Sequence, residues 1–78
     1  MLENTLTELL LGRFPNGQIS VQMEGNHCQV GIVDTEFESM RQVKRQQLVY
    51  AVLNEKIASG EVHAVHLSLR TPTEASAG

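Results

Sequence analysis

QISVQMEGNHCQVGIV, residues 18–33, decides the fold. Ile19, Val21 and Met23 alternate with polar neighbours, and Cys28, Val30 and Ile32 do the same beyond Glu24-Gly25-Asn26. A period of two is the mark of a strand with one buried face. Two such strands joined by so short a glycine-containing turn predict an antiparallel hairpin, QISVQME against HCQVGIV.

Working outward toward the N-terminus, NTLTELLLGRFP reads as a short helix. Thr5-Leu6-Thr7-Glu8 has capping-box form, with Thr5 as candidate N-cap. Leu2, Leu6, Leu9 and Leu10 share one helical face, and Gly12 and Pro15 close the element. Toward the C-terminus, the stretch from Asp34 to Gly60 carries a helical stripe of Met40, Val43, Val49, Val52, Leu53 and Ile57. Asp34 or Thr35 is the expected cap, and Glu36 and Glu38 suit the positive end of a helix. The stretch is long for one helix, so a kink or a split into two is expected before Gly60 ends it.

VHAVHLSL, residues 62–69, alternates again. His63, Val65, Leu67 and Leu69 form one face, and Val62, Ala64, His66 and Ser68 the other. The small, polar tail is expected to fray over residues 75–78. The order is α-β-β-α-α-β. An α+β fold follows, a three-stranded mixed sheet with helices packed on one face.

The 78 residues make one domain, with its core over about residues 5–74. The chain is 41% hydrophobic and 19% charged, a globular balance. A net charge of -3 argues against a general polyanion binder. The single cysteine, Cys28, makes no internal disulfide and no Cys-rich zinc site, and a free thiol fits a reducing compartment. Without a signal-peptide pattern or an apolar run of about 20 residues, the expectation is a soluble cytoplasmic protein with no membrane contact. No nucleophile elbow, P-loop or HExxH motif occurs, so no enzyme activity is expected.

The three histidines divide by strand phase. His63 and His66 stand an odd number of residues apart, so a regular strand turns them to opposite faces and they cannot chelate one ion together. On the bare residues His63 reads as a core-edge histidine satisfied by a backbone carbonyl, and His66 as a solvated side chain. Cys28 is in phase with Val30 and Ile32, as a small buried hydrophobe, and His27 falls on the outer face beside the turn. His63 and either His27 or Cys28 can approach the same end of the sheet. Arg41, Lys44 and Arg45 place three of six basic residues within five positions. They read first as a solvated helix face, and as an alternative a phosphate-contacting patch for RNA or DNA. Scarce aromatics and the lack of a GXXG clamp weaken that alternative.

Two longer stretches carry a resemblance. FESMRQVKRQQLVY, Phe37 to Tyr50, followed by VHAVHLSLRTPTE, Val62 to Glu74, resembles the BolA-like proteins, and GNHCQV fits their hairpin. The V-K-x-Q-Q-x-V-Y pattern is similar to that of the family's short bacterial branch. The likeness runs from about Thr5 to Glu74. Ser39 departs from the family's F-x-G, Lys44-Arg45-Gln46 from an R-H-R-type segment, and Ala75 from an aromatic after T-P-x-E.

The resemblance implies a fold similar to class II KH domains. It also implies a non-enzymatic adaptor that partners a monothiol, CGFS-type glutaredoxin and shares a bridging [2Fe-2S] cluster with it, in iron–sulfur trafficking or iron and stress sensing. The isolated protein would hold no cofactor. The glutaredoxin and its glutathione would supply thiolates. His63, the histidine of the H-A-x-x-L segment, would be this chain's ligand, with His27 as the second and Cys28 in reserve. A homodimer is compatible with the resemblance. The rival reading is a nucleic-acid-binding transcriptional regulator using the KH-like fold and Arg41, Lys44 and Arg45.

Overall fold

A computed structural model describes residues 2–77. Period-two alternation gives two strands, β1 (Gln18–Glu24) and β2 (His27–Val33), paired antiparallel from Glu24↔His27 to Gln18↔Val33. Gly25, at φ 63, takes the first central position of the two-residue turn. A left-handed first position suits the hairpin's twist, and glycine adopts it without a Cβ penalty. A third strand, β3 (Ala64–Arg70), lies parallel to β2, so the sheet is mixed with order β1-β2-β3.

A parallel pair needs a crossover, and α2 (Gln42–Ala58) supplies it. The first helix, α1 (Leu2–Arg13), packs on β1 and against α2. Leu6, Leu10 and Phe14 from the N-terminal side meet Cys28, Val30, Ile32 and Leu69 from the sheet and Val49 and Leu53 from α2. The helix-free face carries Gln18, Ser20, Gln22, Glu24, His27, Gln29, His66, Ser68 and Arg70, all exposed. The α+β architecture, mixed sheet and helix-covered face agree with the sequence reading.

Several local expectations give way. The first helix starts at Leu2, so Thr5 lies within it and is not its cap, and Leu9 is 41% exposed. The split expected after Asp34 is real, but its first half is only a 3-10 turn, Thr35–Phe37, which Asp34 caps by accepting the Glu36 N–H. Ser39 then takes a left-handed φ of 65, which breaks the helix before α2 begins. Phe37, the last residue of that turn, packs on Phe14 with ring centres 5.5 Å apart. Val43 leaves the expected stripe for solvent at 65% exposure; the buried stripe is Arg45, Val49 and Leu53, spaced by four. Val62 is buried, because strand alternation begins only at Ala64.

Residues 75–77, within the stretch where fraying is expected, are helical. Residues Pro72–Ala77 form a third helix, α3; Gly78 lies outside the described residues. Its start is a capping box: Glu74 N–H donates to Thr71 Oγ1 at 3.1 Å, and Thr71 N–H donates to Glu74 Oε1 at 2.9 Å. Pro72 occupies the first helical position, where its missing N–H costs nothing.

Candidate functional site

The starts of β2 and β3 lie at the same end of the sheet because those strands are parallel, and the hairpin turn closes that end. The turn residue Asn26 ties the two together. Its carbonyl accepts the His63 N–H at 3.0 Å, and the Ala64 N–H approaches it at 3.5 Å. Behind His63, α2 ends at Ala58, Gly60 turns the chain with its φ of 83, and Val62 N–H donates back to the Lys56 carbonyl at 3.3 Å. Val62 is 2% exposed, an anchor in the core. His63 therefore has a pinned backbone and an exposed side chain. Its Nε2 lies beside Gly60, 3.9 Å from where a Cβ there would sit. A Cβ at residue 60 would meet that imidazole only at ordinary contact distance, so it is the φ of 83 that favours glycine there.

His27 is exposed at the start of β2, directly across the hairpin from Glu24. Register pairs His27 with Ala64 and Gln29 with His66. His27 and His66 thus share the helix-free face and line one open hollow of about 580 Å³ with Glu3, Gln22, Met23, Glu24 and Gln29. His63 stands at the same end of the sheet, one residue before β3, with its ring on the Gly60 side. Sequence alternation separates His63 from His66; the structure adds that His66 is His27's neighbour.

Cys28 does not belong to this surface. It is 0% exposed on the inner face of β2. Burial, and secondarily the charge of Glu3, pushes its thiol up, away from the thiolate that a metal needs. The reserve ligand is therefore withdrawn. Among the described residues, no group of three or more His, Cys, Asp and Glu side chains converges to hold a metal alone.

The basic patch also changes. Arg41 and Lys44 are exposed, but Arg45 is 4% exposed and belongs to the interior. Its Nε donates to the Met40 carbonyl at 3.1 Å and its Nη1 to the Leu69 carbonyl at 3.0 Å. The guanidinium grips Glu74 at 2.7 and 3.2 Å and lies over the Phe37 ring at 5.7 Å. Arg45 and the Thr71 N–H hold the Glu74 carboxyl down at about 2. A buried arginine with four of its five N–H donors committed is not free to serve phosphate. The sequence signal is its spacing, four before Val49 and eight before Leu53, which puts it on the buried stripe.

A model of the BolA-like protein family matches residues 13–74, a span that includes His27, Arg45, His63 and Glu74. The chain belongs to the BolA-like family. It is 46% identical over 74 residues to an uncharacterized protein from the rpoN-murA intergenic region of Acinetobacter guillouiae, covering 95% of this chain and 89% of that one. It is 36% identical over 74 residues to the acid stress protein IbaG of Escherichia coli, covering 95% and 88%. These likenesses agree with the short bacterial branch. Among solved structures, BolA1 from Arabidopsis thaliana superposes with a TM-score of 0.83 at 29% identity, covering 92% and 93%. In this BolA-like chain the T-P-x-E pattern is structural, since it caps α3 and holds Arg45. No helix among the described residues is long and apolar enough to cross a membrane.

Proposed function

We propose that this protein is an adaptor that receives a [2Fe-2S] cluster jointly with a monothiol, CGFS-type glutaredoxin, with His63 as its principal ligand. One observation carries the reading: His63 is held by Asn26 on one side and by buried Val62 on the other, yet offers its imidazole to solvent. The donor set suits half a site. The chain presents imidazoles and seals its only thiol away, so thiolates must come from the partner and its glutathione. His27 is the second ligand of this reading. It would reach the cluster around the end of the sheet, since its strand position faces the opposite side from the Gly60 flank.

Imidazole in place of thiolate lowers the negative charge on its iron and raises the potential. Neutral imidazole is also the weaker ligand and is lost once it is protonated, so a shared cluster should be released in acid sooner than an all-thiolate one. Both properties suit handover of the cluster as cargo. The likeness to an acid stress protein agrees with such a role.

The test is co-expression with a CGFS-type glutaredoxin, followed by visible absorption and circular dichroism of the purified complex. His63→Ala should remove the spectrum of the shared cluster. An unchanged spectrum would show that His63 is no ligand. His27→Ala should shift the spectrum; an identical one removes His27 from the site.

A further inference from the structure

We propose that the outer edge of β3 pairs with the same edge of a second copy of this chain, antiparallel and centred on His66, so that two sheets join into one. The sheet's two edges are finished differently. On β1 the outward Met23 N–H is taken by Glu3 Oε2 at 2.9 Å, and α1 packs along the strand. A charged side chain on an edge guards it against strand addition. β3 has no such guard. Its Arg70 carbonyl accepts the Asp34 N–H at 3.0 Å on the β2 side, whereas its Leu69 carbonyl accepts from Arg45 Nη1 at 3.0 Å on the other side. Alternation puts the N–H and C=O groups of Val65 and Leu67 on that outer side with the Leu69 carbonyl. Among the described residues, no side chain, and no backbone group outside the ladder with β2, bonds them.

Charge and register name the occupant. The chain carries a net charge of -3, so two copies repel unless they meet across an uncharged patch. Residues 64–69, AVHLSL, hold no carboxylate, lysine or arginine. Gln42 Nε2, 3.4 Å from the Leu69 carbonyl, marks the flank of α2 that borders this edge. Helical spacing carries that flank through Gln46 and Tyr50, with Val43 and Ile57 each seven residues from Tyr50, and none of these is charged. Tyr50 and Val43 are large apolar side chains left exposed. A two-fold interface sets a patch against itself, which an uncharged, partly apolar patch tolerates and a charged one does not. With the axis at His66, Val65 faces Leu67 of the second copy and exchanges both N–H···O bonds with it, so each strand's free N–H and C=O groups at Val65 and Leu67 are all used. An axis at Leu67 would instead ask the Val65 N–H to bond the Leu69 carbonyl, which Arg45 already holds. So short a ladder makes a weak, concentration-dependent dimer.

This pairing needs neither a glutaredoxin nor a metal, so it and cluster sharing fail separately. The untagged full chain is followed by sedimentation equilibrium across a wide range of concentration, together with amide hydrogen exchange. The mass should rise from one chain toward two. Exchange at Val65 and Leu67 should slow with concentration, while Ile19 and Val21 on the β1 edge stay unchanged. His66 is exposed, so His66→Lys should keep the monomer fold. At the axis it sets two cations on backbones about 4.5 Å apart, and it should weaken the dimer by about tenfold or more. An equal mixture of His66→Lys and His66→Glu should dimerise again. A chain that stays monomeric at high concentration overturns the pairing. So does a dimer whose Val65 and Leu67 amides exchange as they do in the monomer, a His66→Lys dimer as tight as the unaltered one, or a charge-swapped mixture no tighter than its components. Protection of those amides that appears only on adding a glutaredoxin would give the edge to that partner and overturn self-pairing equally.

Discussion

The two ends of the sheet treat their polar side chains in opposite ways. At the end where β3 finishes, Arg45, Thr71 and Glu74 are locked to one another and to two backbone carbonyls. At the end where β3 starts, His63 has a fixed backbone and a side chain left in solvent. Both sets fall inside the matched family span. The difference teaches that this chain's polar residues divide into those the fold consumes and those it presents. A charged residue held by several partners is a latch. An imidazole whose backbone is pinned but whose ring is unclaimed is available for binding.

The largest test of that division is Arg45→Ala. It leaves the Met40 carbonyl without its Arg45 donor, leaves the Leu69 carbonyl only the long Gln42 Nε2 contact at 3.4 Å, and deprives Glu74 of its cation. An unsatisfied buried acceptor costs about 1–3 kcal/mol, so roughly 2–4 kcal/mol is expected for the pair together with lost packing. For a domain of this size each kcal/mol moves Tm by about 4–8 °C. Urea and thermal unfolding read it out. A loss below about 0.5 kcal/mol would mean that the latch contributes no more than an ordinary surface contact.

Glu74→Gln tests the same latch through pH. The native carboxyl titrates at about 2, below its ordinary 4.5, chiefly because Arg45 hydrogen-bonds the charged form. A depressed carboxylate stabilises the fold in full above about 4.5, and that stability drains away as pH falls through about 2. The unaltered protein should therefore lose Tm between about pH 4.5 and 2 more steeply than the Gln variant, whose amide does not titrate. Equal slopes would detach Glu74 from the latch.

Next in size is Ser39→Gly. Ser39 sits at a φ of 65, where an L side chain costs about 1–2 kcal/mol. Glycine removes that cost but gives part of it back through a freer unfolded chain. A net gain of roughly 0.5–1 kcal/mol in unfolding free energy is expected. No gain would show that neighbouring contacts already favour serine there.

The two ends differ in legibility because of what alternation and helical spacing can report. The hairpin, the third strand and the outward turn of His27 are period-two facts, visible in Ile19-Val21-Met23 and Cys28-Val30-Ile32. The core position of Cys28 comes from the same rhythm. Arg45 is misread when charge is weighed before position; its spacing to Val49 and Leu53 already places it inside. The α3 helix escapes a reading by periodicity, because its capping box, Thr71 to Glu74, precedes only a few small residues with no apolar stripe to announce a helix. The neighbourhood of His27 and His66 is hidden because it depends on the parallel register of β2 with β3, which no local pattern encodes.

The smallest expected stability change belongs to His63→Ala, and its smallness is the point. An exposed side chain whose backbone bond to Asn26 survives truncation should alter unfolding free energy by no more than about 0.5 kcal/mol. The anchor Val62 and the glycine turn at Gly60 do not depend on the imidazole. Stability unchanged, with the shared-cluster spectrum gone, would assign the residue wholly to binding. A marked loss of Tm would instead place the ring among the fold's own supports, and His63 would then belong with Arg45 rather than opposite it.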